Sequence, residues 1–525
     1  MSNSESGQGF DREMTPGTRR IIEALNQQAP TYSRLTFIVL GVVFIVFGLK
    51  YWAAATMELL PEEAYYWMYA QHPALSFYDH PPMVAWTIRL GTSIFGNTEF
   101  GVRFATLMLS MGSTVTLFVI GRLWFGLAAA LWACLIFTLT PLYAGIGLLT
   151  SPDDALLFFW LLTLYFLSKA LLSGSDGYWL GSGIGLGAAM LSKYPGVMLA
   201  PGLLLFLLTS PGHRFWLRRP HPWVALGIGI LLFTPVIVWN AQHDWVSLLF
   251  QASRTVDQKP KVFHYVTEFW LSQLGTLTPP VFILVLAAAW RAMKKGWLEQ
   301  QDHWNFAVSF FLPLFLVFFF ASFVTSVHVN WTAPVYLSML PATAAFFLES
   351  STNQVNPTQA RRWRLAGTWW LVFCGAVLLV AFSILTLGVP RMLSLTQAGG
   401  WRQLASQVEE ARTVVAMETG QRPFIIGVDK LYFASQMGFY MGSPDEVVNQ
   451  FALGFPGFGY PYWTDLQKFS GRPAIVIMEK KLWPVATRIL QPHCNRLHLP
   501  QPVTFLNSGG KERRVRLITC YGYRP

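Results

Sequence analysis

From residue 35 to residue 388 the chain is a succession of apolar runs separated by short polar segments. A helix of about 20 apolar residues crosses the roughly 30 Å of hydrocarbon in a bilayer. Runs of this kind lie near 35–55, 99–120, 127–148, 155–172, 177–192, 194–209, 222–240, 266–290, 304–323, 331–348 and 364–388, which predicts eleven transmembrane helices. After residue 389 the pattern changes. Short apolar runs such as Pro423-Phe424-Ile425-Ile426-Gly427-Val428 and Ala474-Ile475-Val476-Ile477-Met478 alternate with helical segments and Gly/Pro turns. The expected architecture is an α-helical polytopic membrane protein with a small C-terminal α/β domain. Its expected divisions are a cytoplasmic tail (1–34), a transmembrane domain (35–388) with an outer loop at 57–98, and an extracytoplasmic α/β domain (389–525).

Composition strengthens this picture. The chain is 53% hydrophobic and 12% charged, against about 25% charged for soluble proteins. The first apolar run follows a polar tail and lacks a small-residue cleavage site, so it reads as a retained span. The net charge of +11 then reflects Lys and Arg that fix topology and meet anionic lipid, not nucleic acid. The basic residues fall in the tail (Arg19, Arg20, Arg34) and in the loops 210–221, 291–303 and 349–363. With eleven spans all four segments share one side, which the positive-inside rule makes cytoplasmic. The opposite side receives 57–98, the turn at 150–154, Lys193, the loop 240–265, the turn 324–330 and the C-terminal domain. Cys494 and Cys520 lie in that domain, where an oxidising compartment allows a disulfide that sequence alone does not establish.

The candidate chemistry collects on that outer side. Residues 58–70, around Pro61-Glu62-Glu63-Ala64-Tyr65-Tyr66-Trp67, are expected to form a short helix lying on the membrane, on which Glu62, Tyr66 and Tyr69 share one face and Glu63, Trp67 and Ala70 the next. Tyr78-Asp79-His80-Pro81-Pro82 follows, with prolines that fix a carboxylate and an imidazole at a rigid turn. Asp153 and Asp154 open a strongly apolar span. They suit a helix N-terminus on structural grounds alone, but two together there also suggest function. Lys193 stands between two apolar runs, as a snorkelling lysine or a phosphate contact. The segment 239–245, with Asn240 and His243, and the nearby Arg254 bring polar and aromatic groups together. Carboxylates can serve as general base to an acceptor hydroxyl, and cations can stabilise a leaving phosphate. Asp79, His80 and His243 are the side chains that would hold a divalent metal if one takes part; no cofactor is required.

These motifs resemble those of integral-membrane glycosyltransferases of the C-type (GT-C) fold. The likeness is to the family-39-like bacterial group related to protein O-mannosyltransferases and lipid A aminoarabinose transferases. It rests on Glu-Glu-Ala-Tyr-Tyr-Trp at 62–67, Tyr-Asp-His-Pro-Pro at 78–82, Gly-Val-Arg at 101–103 and Pro-Asp-Asp at 152–154. Leu-Ser-Lys-Tyr at 191–194, Trp-Asn-x-x-His-x-Trp at 239–245 and Asn-Trp-x-Ala-Pro at 330–334 complete it. The resemblance implies a sugar carried on polyprenyl phosphate, no nucleotide, and transfer on the outer face of a bacterial inner membrane to lipid A, a surface glycan or protein. It places the base in the pair Glu62–Glu63, Glu62 ahead, where the usual pair is Asp-Glu. Asp79 and Asp153 match further acidic residues, with Asp154 as alternate. It makes Lys193 and Arg103 candidates for the donor phosphate, with Arg254 behind them. Tyr66, His80, Asn240 and His243 are expected among the substrate-binding side chains. His80 stands where the aminoarabinose enzymes carry Lys, which argues against that sugar. The main rival reading is a transporter or lipid-linked-sugar flippase, for which ionisable groups near the midplane and internal repeats are expected.

Overall fold

A computed structural model describes residues 29–254, 261–351, 357–383, 399–498, 501–507 and 510–525. The basic tail with Arg19 and Arg20, and the end of the last expected span after residue 383, lie outside the described residues. The chain forms two compact units. One comprises Met1–Lys50, Thr106–Leu148 and Pro152–Leu378; the other comprises Tyr51–Ala105, Leu149–Ser151 and Leu379–Pro525.

The first unit is helical, and the chain is a polytopic membrane protein. Among the described residues six helices are long and apolar enough to cross a membrane, or up to eight if each of two bent helix pairs is one span. The expected count of eleven is not reached. Hydropathy alone counts short pieces as full spans: Leu127–Leu139 has 13 residues, about 20 Å at 1.5 Å per residue. The pair Val262–Leu277 and Pro279–Leu298 is instead one apolar stretch bent by 107°.

Small residues set the helix packing. Helix Asp176–Ser192 packs against both Pro152–Ser173 and Pro220–Gln242. A Cβ on Gly183 would lie 2.6 Å from the Ala225 carbonyl oxygen, and one on Gly185 would lie 2.6 Å from Thr163 Oγ1. Glycine removes both obstacles and lets backbones approach within the bilayer.

The second unit is built on a mixed six-stranded sheet: β1 (Phe424–Gly427), β2 (Val447–Asn449), β3 (Ala474–Glu479), β4 (Cys494–Leu497), β5 (Gln501–Leu506) and β6 (Glu512–Tyr523). The order is β2-β1-β3-β6-β4, with β5 also on β6. β1 runs parallel to β2 and β3, while β6 is antiparallel to β3, β4 and β5. The two apolar runs expected as strands are β1 and β3. Successive side chains point to opposite faces, so Ile425, Ile475 and Ile477 enter one core and Phe424, Ile426 and Val476 the other.

The first of these cores contains more than the C-terminal domain. Ala64, Tyr65, Trp67 and Met68 from helix Pro61–Gln71 are buried in it with Trp401, Phe433 and Met437. The outer loop, expected as an appendage of the transmembrane domain, therefore shares a core with the C-terminal sheet. Gln436 donates to the Leu59 carbonyl at 2.8 Å, and the Leu59 amide donates to the Tyr440 hydroxyl at 2.8 Å.

Cys494 and Cys520 form a disulfide across 26 residues of sequence. Closing a loop of that size removes entropy from the unfolded chain worth about 3 kcal/mol. Reduction, or Cys494→Ser, is expected to lower the unfolding temperature of the sheet unit in a reductant-dependent thermal melt. An identical melt with and without reductant would show that the bridge contributes nothing.

Candidate active site

In the sheet unit, helix Pro61–Gln71 starts on Pro61, whose fixed φ and missing N–H suit the first helical position. Its two glutamates part ways immediately. Glu63 is 1% exposed. It accepts from Arg103 Nε at 2.8 Å and Nη2 at 2.6 Å, from the Leu60 amide at 2.9 Å and from the Thr150 amide at 3.0 Å. Arg103 is fully buried, and its remaining N–H groups bind the carbonyls of Ala54, Met57 and Glu58. This pair is a brace that ties 54–63, 103 and 150 together. Two expectations are corrected by it: Glu63 lacks an open lone pair for a base, and Arg103 lacks an open donor for a phosphate.

Glu62 points the other way and is exposed. The Tyr432 hydroxyl donates to its Oε1 at 3.5 Å. Burial, then the charge of Glu62, pushes the Tyr432 phenol up, so it stays a donor near neutral pH. Tyr432 begins helix Tyr432–Tyr440, capped by Asp429, whose carboxylate accepts from the Tyr432 amide at 2.7 Å and the Phe433 amide at 3.0 Å. Burial nevertheless pushes the Asp429 carboxyl up to about 6.

Asp79 is 6% exposed and its Oδ1 accepts from the hydroxyls of Tyr65 and Tyr69. Burial and the charge of Asp79 push the Tyr65 phenol well up, so it too remains a donor. His80 Nε2 lies 4.0 Å from Asp79 Oδ2. The Tyr66 ring meets the His80 ring edge-on at 5.7 Å. Asp79, His80 and Tyr66 thus adjoin one another, and Glu62 lies one helical turn before Tyr66 on the same helix. Tyr65 and Tyr432 were not singled out from sequence, and Tyr69 was placed only on the Glu62 face of the motif's helix.

In the helical unit, Pro152–Ser173 brings Asp153 and Asp154 to its first turn. Lys193 ends helix Asp176–Ser192 in extended conformation, and Gly196 permits the tight turn after it. A Cβ there would lie 2.6 Å from the Ala189 carbonyl oxygen. Lys193 Nζ binds both oxygens of Asp153 at 2.7 and 2.9 Å, and Asn330 Nδ2 donates to Asp153 Oδ2 at 2.7 Å. Asp153 is thereby committed to a buried ion pair. The Arg254 guanidinium stacks over Trp331 at 5.0 Å and Phe250 at 5.5 Å. Burial, then the positive charge of Arg254 and, more weakly, of Lys193, holds the His328 imidazole below its usual range. Glu268 acts on His328 in the opposite sense, and the charge of Lys193 is met by Asp153.

His243 stacks on Trp239 at 4.1 Å, and its Nδ1 lies 2.7 Å from the Trp239 carbonyl oxygen. Asn240 is fully buried. Its side-chain amide donates to the Val236 carbonyl at 2.9 Å, its Oδ1 accepts from the Leu248 amide at 3.4 Å, and its backbone carbonyl accepts from the Trp245 amide at 2.8 Å. This corrects the expectation of a substrate contact, because Asn240 closes the end of its helix. Among the described residues no group of three or more His, Cys, Asp or Glu side chains is placed to hold a metal ion. The expected trio Asp79, His80 and His243 therefore forms no such group.

Lys50 is a further residue that sequence reasoning missed. It is 2% exposed inside the first span. Its Nζ donates to Ser110 Oγ at 3.3 Å and the Tyr143 carbonyl at 3.4 Å, and it interacts electrostatically with Asp154. It sits against Gly147, where a Cβ would collide with it. An ionisable side chain within an apolar run is itself the signal that could have found it.

Residues 79–239 match the family described as dolichyl-phosphate-mannose-protein mannosyltransferase. A lipid A galacturonosyltransferase, RgtD of Rhizobium johnstonii, is 26% identical over 311 residues, 56% of this chain and 63% of its own length. The putative mannosyltransferase YkcB of Bacillus subtilis is 27% identical over 166 residues, 30% of this chain and 23% of its own. The chain thus spans less than two thirds of the length of the curated relatives it matches. ArnT from Cupriavidus metallidurans in the apo state superposes over 92% of this chain and 98% of its own, with TM-score 0.61 and 15% identity. The chain has the GT-C fold. A more distant GT-C neighbour, the archaeal oligosaccharyltransferase AglB from Archaeoglobus fulgidus, covers 91% of this chain and 74% of its own, with TM-score 0.52 and 11% identity. ArnT has also been solved bound to undecaprenyl phosphate, and that form superposes with TM-score 0.58 and 16% identity over 92% of this chain and 97% of its own.

Proposed function

We propose that this protein is a membrane glycosyltransferase. It moves a sugar from a polyprenyl-phosphate donor to an acceptor on the outer face of a bacterial inner membrane. The observation that carries the reading is the division of labour between Glu62 and Glu63: one is sealed against Arg103, the other is exposed beside a phenol. RgtD, ArnT and the mannosyltransferase family support the reaction class and the donor. RgtD favours lipid A as acceptor, ahead of a surface glycan or a protein. The Cys494–Cys520 bridge suits an oxidising compartment for the sheet unit.

In the proposed step the acceptor O–H gives its proton to the Glu62 carboxylate as its oxygen attacks the anomeric carbon. The bond from that carbon to the phosphate oxygen breaks, and the electron pair leaves on the polyprenyl phosphate. Asp79, oriented by Tyr65 and Tyr69, supplies negative charge to the cationic sugar in the transition state. Lys193 and Arg254 are assigned to the leaving phosphate, for which arginine's planar fork is well shaped. Asp153 and Asn330 orient Lys193, and Lys50 does the same for Asp154.

The test is mass spectrometry of lipid A, surface glycans and glycoproteins from cells with and without the gene. One of these is expected to lose the mass of a single sugar in the deletion strain and regain it on complementation. Unchanged masses in all three fractions would overturn the proposal.

A further inference from the structure

The segment 454–463 reads Gly454-Phe455-Pro456-Gly457-Phe458-Gly459-Tyr460-Pro461-Tyr462-Trp463, half of it aromatic. It lies in the sheet unit, and neither the base nor the phosphate contacts use it. Its backbone is firmly held. Asn449 Nδ2 donates to the Gly457 carbonyl at 2.8 Å, Gln450 Nε2 to the Pro456 carbonyl at 2.7 Å, and the Gly459 amide to the Tyr65 hydroxyl at 3.0 Å. A Cβ on Gly459 would collide with the Trp463 ring, so only glycine fits there. Tyr460 is fully buried and its hydroxyl meets Ser435 Oγ at 2.9 Å.

Of the loop's other rings, Phe455 and Tyr462 are exposed, while Phe458 is half-buried with one side against the core. Tyr462 is 38% exposed. It stacks on Tyr78 with centroids 5.8 Å apart and planes at 23°. Phe458 meets Tyr78 edge-on at 5.9 Å and Tyr65 at 6.4 Å. Phe458 has φ +50°, a left-handed conformation that is costly for a bulky residue. Lys430 lies over the Phe458 ring at 5.8 Å. Tyr78 directly precedes Asp79 in the chain, and Tyr65 bonds both this loop and Asp79. A rigid aromatic surface with phenol and ammonium groups therefore begins one side chain from Asp79.

We propose that Tyr78, Phe458 and Tyr462 form a stacking platform for a sugar ring of the acceptor. This rests on the transferase reading above and names the part of the substrate this face takes. The apolar C–H face of a pyranose matches an aromatic face, while its hydroxyls reach the phenols and Lys430. A membrane-anchoring belt, the other use of exposed Tyr and Phe, needs neither the stacked pair nor the strained Phe458.

The experiment uses the purified full chain with lipid A as acceptor and an undecaprenyl-phosphate-linked sugar as donor. Equilibrium binding of the soluble phosphorylated glucosamine disaccharide of lipid A is measured in parallel by tryptophan fluorescence. Tyr462→Ala and Phe458→Gly are expected to raise the acceptor KM and the disaccharide Kd about tenfold, the loss of one aromatic contact. The donor KM is expected to stay constant. Phe458→Gly also relieves the φ strain, so weaker binding in a chain of equal or higher thermal stability is not misfolding. Wild-type turnover with unchanged acceptor KM and Kd in both variants would overturn the platform. So would a rise in donor KM alone, or no disaccharide binding by the wild type. Disaccharide binding that is weakened in the variants, with no transfer by the wild type, would support the platform and sink the transferase reading.

Discussion

Glu62→Gln is expected to lower kcat for sugar transfer by about 10²- to 10⁴-fold, the usual contribution of a positioned general base, and to leave the chain folded. Glutamine has the same length and can still accept from the Tyr432 hydroxyl, so the local geometry survives while the proton-accepting oxygen is lost. The expected signature is a fall in kcat with little change in either KM, since the interaction removed acts in the transition state. Glu62→Asp keeps a carboxylate but draws it back by one methylene, so an intermediate loss is expected. Tyr432→Phe removes the hydrogen bond and costs less than either change to the acid. The other carboxylates cannot substitute readily: Glu63 is saturated by four hydrogen bonds, and Asp153 is paired with Lys193 and Asn330. Wild-type kcat in Glu62→Gln, with a collapse in Asp79→Asn, would move the base to Asp79.

The membrane character, the strands β1 and β3 and the acidic helix at 61–71 were legible because each depends on local pattern. Apolar run length, full burial of parallel strands and a proline before two glutamates are all visible within a short window. What was not legible depends on where a side chain ends up. Glu62 and Glu63 are chemically identical, and partners remote in sequence, Arg103 and Thr150 for Glu63 and Tyr432 for Glu62, tell them apart. An arginine near a span end looks available to a phosphate until its burial is known. Asn240 has a polar group suited to sugar, and it is used up at a helix terminus instead. Lys50 was averaged away by the apolar residues around it. The loop 454–463 reads as Gly/Pro turns, and its role as a surface beside Asp79 follows from hydrogen bonds to residues nearly four hundred positions earlier, such as Tyr65. The count of eleven spans is not confirmed among the described residues, because hydropathy takes short runs such as Leu127–Leu139 for full spans.

Arg103→Met is expected to destabilise the protein by about 3–5 kcal/mol, the usual result of stripping the partner from a buried charge. The Arg103 side chain is fully buried, and its fork binds both oxygens of Glu63. Its loss leaves that carboxylate enclosed and three carbonyls without a donor. Arg103→Lys keeps the charge but cannot reproduce a two-pronged contact together with three carbonyl bonds, so it recovers only part of the stability. The double variant Glu63→Leu with Arg103→Met removes the stranded charge and is expected to be more stable than Arg103→Met alone. It stays below the wild type, because the carbonyls and the amides of Leu60 and Thr150 remain unmatched. Thermal unfolding of the detergent-purified chain measures all four proteins. A phosphate-binding arginine would behave in the opposite way, raising the donor KM with an unchanged melting temperature. That outcome would return Arg103 to the substrate and release Glu63 as a second candidate for the base. A loss of stability that Glu63→Leu partly reverses would establish the pair as the brace that leaves Glu62 as the exposed carboxylate.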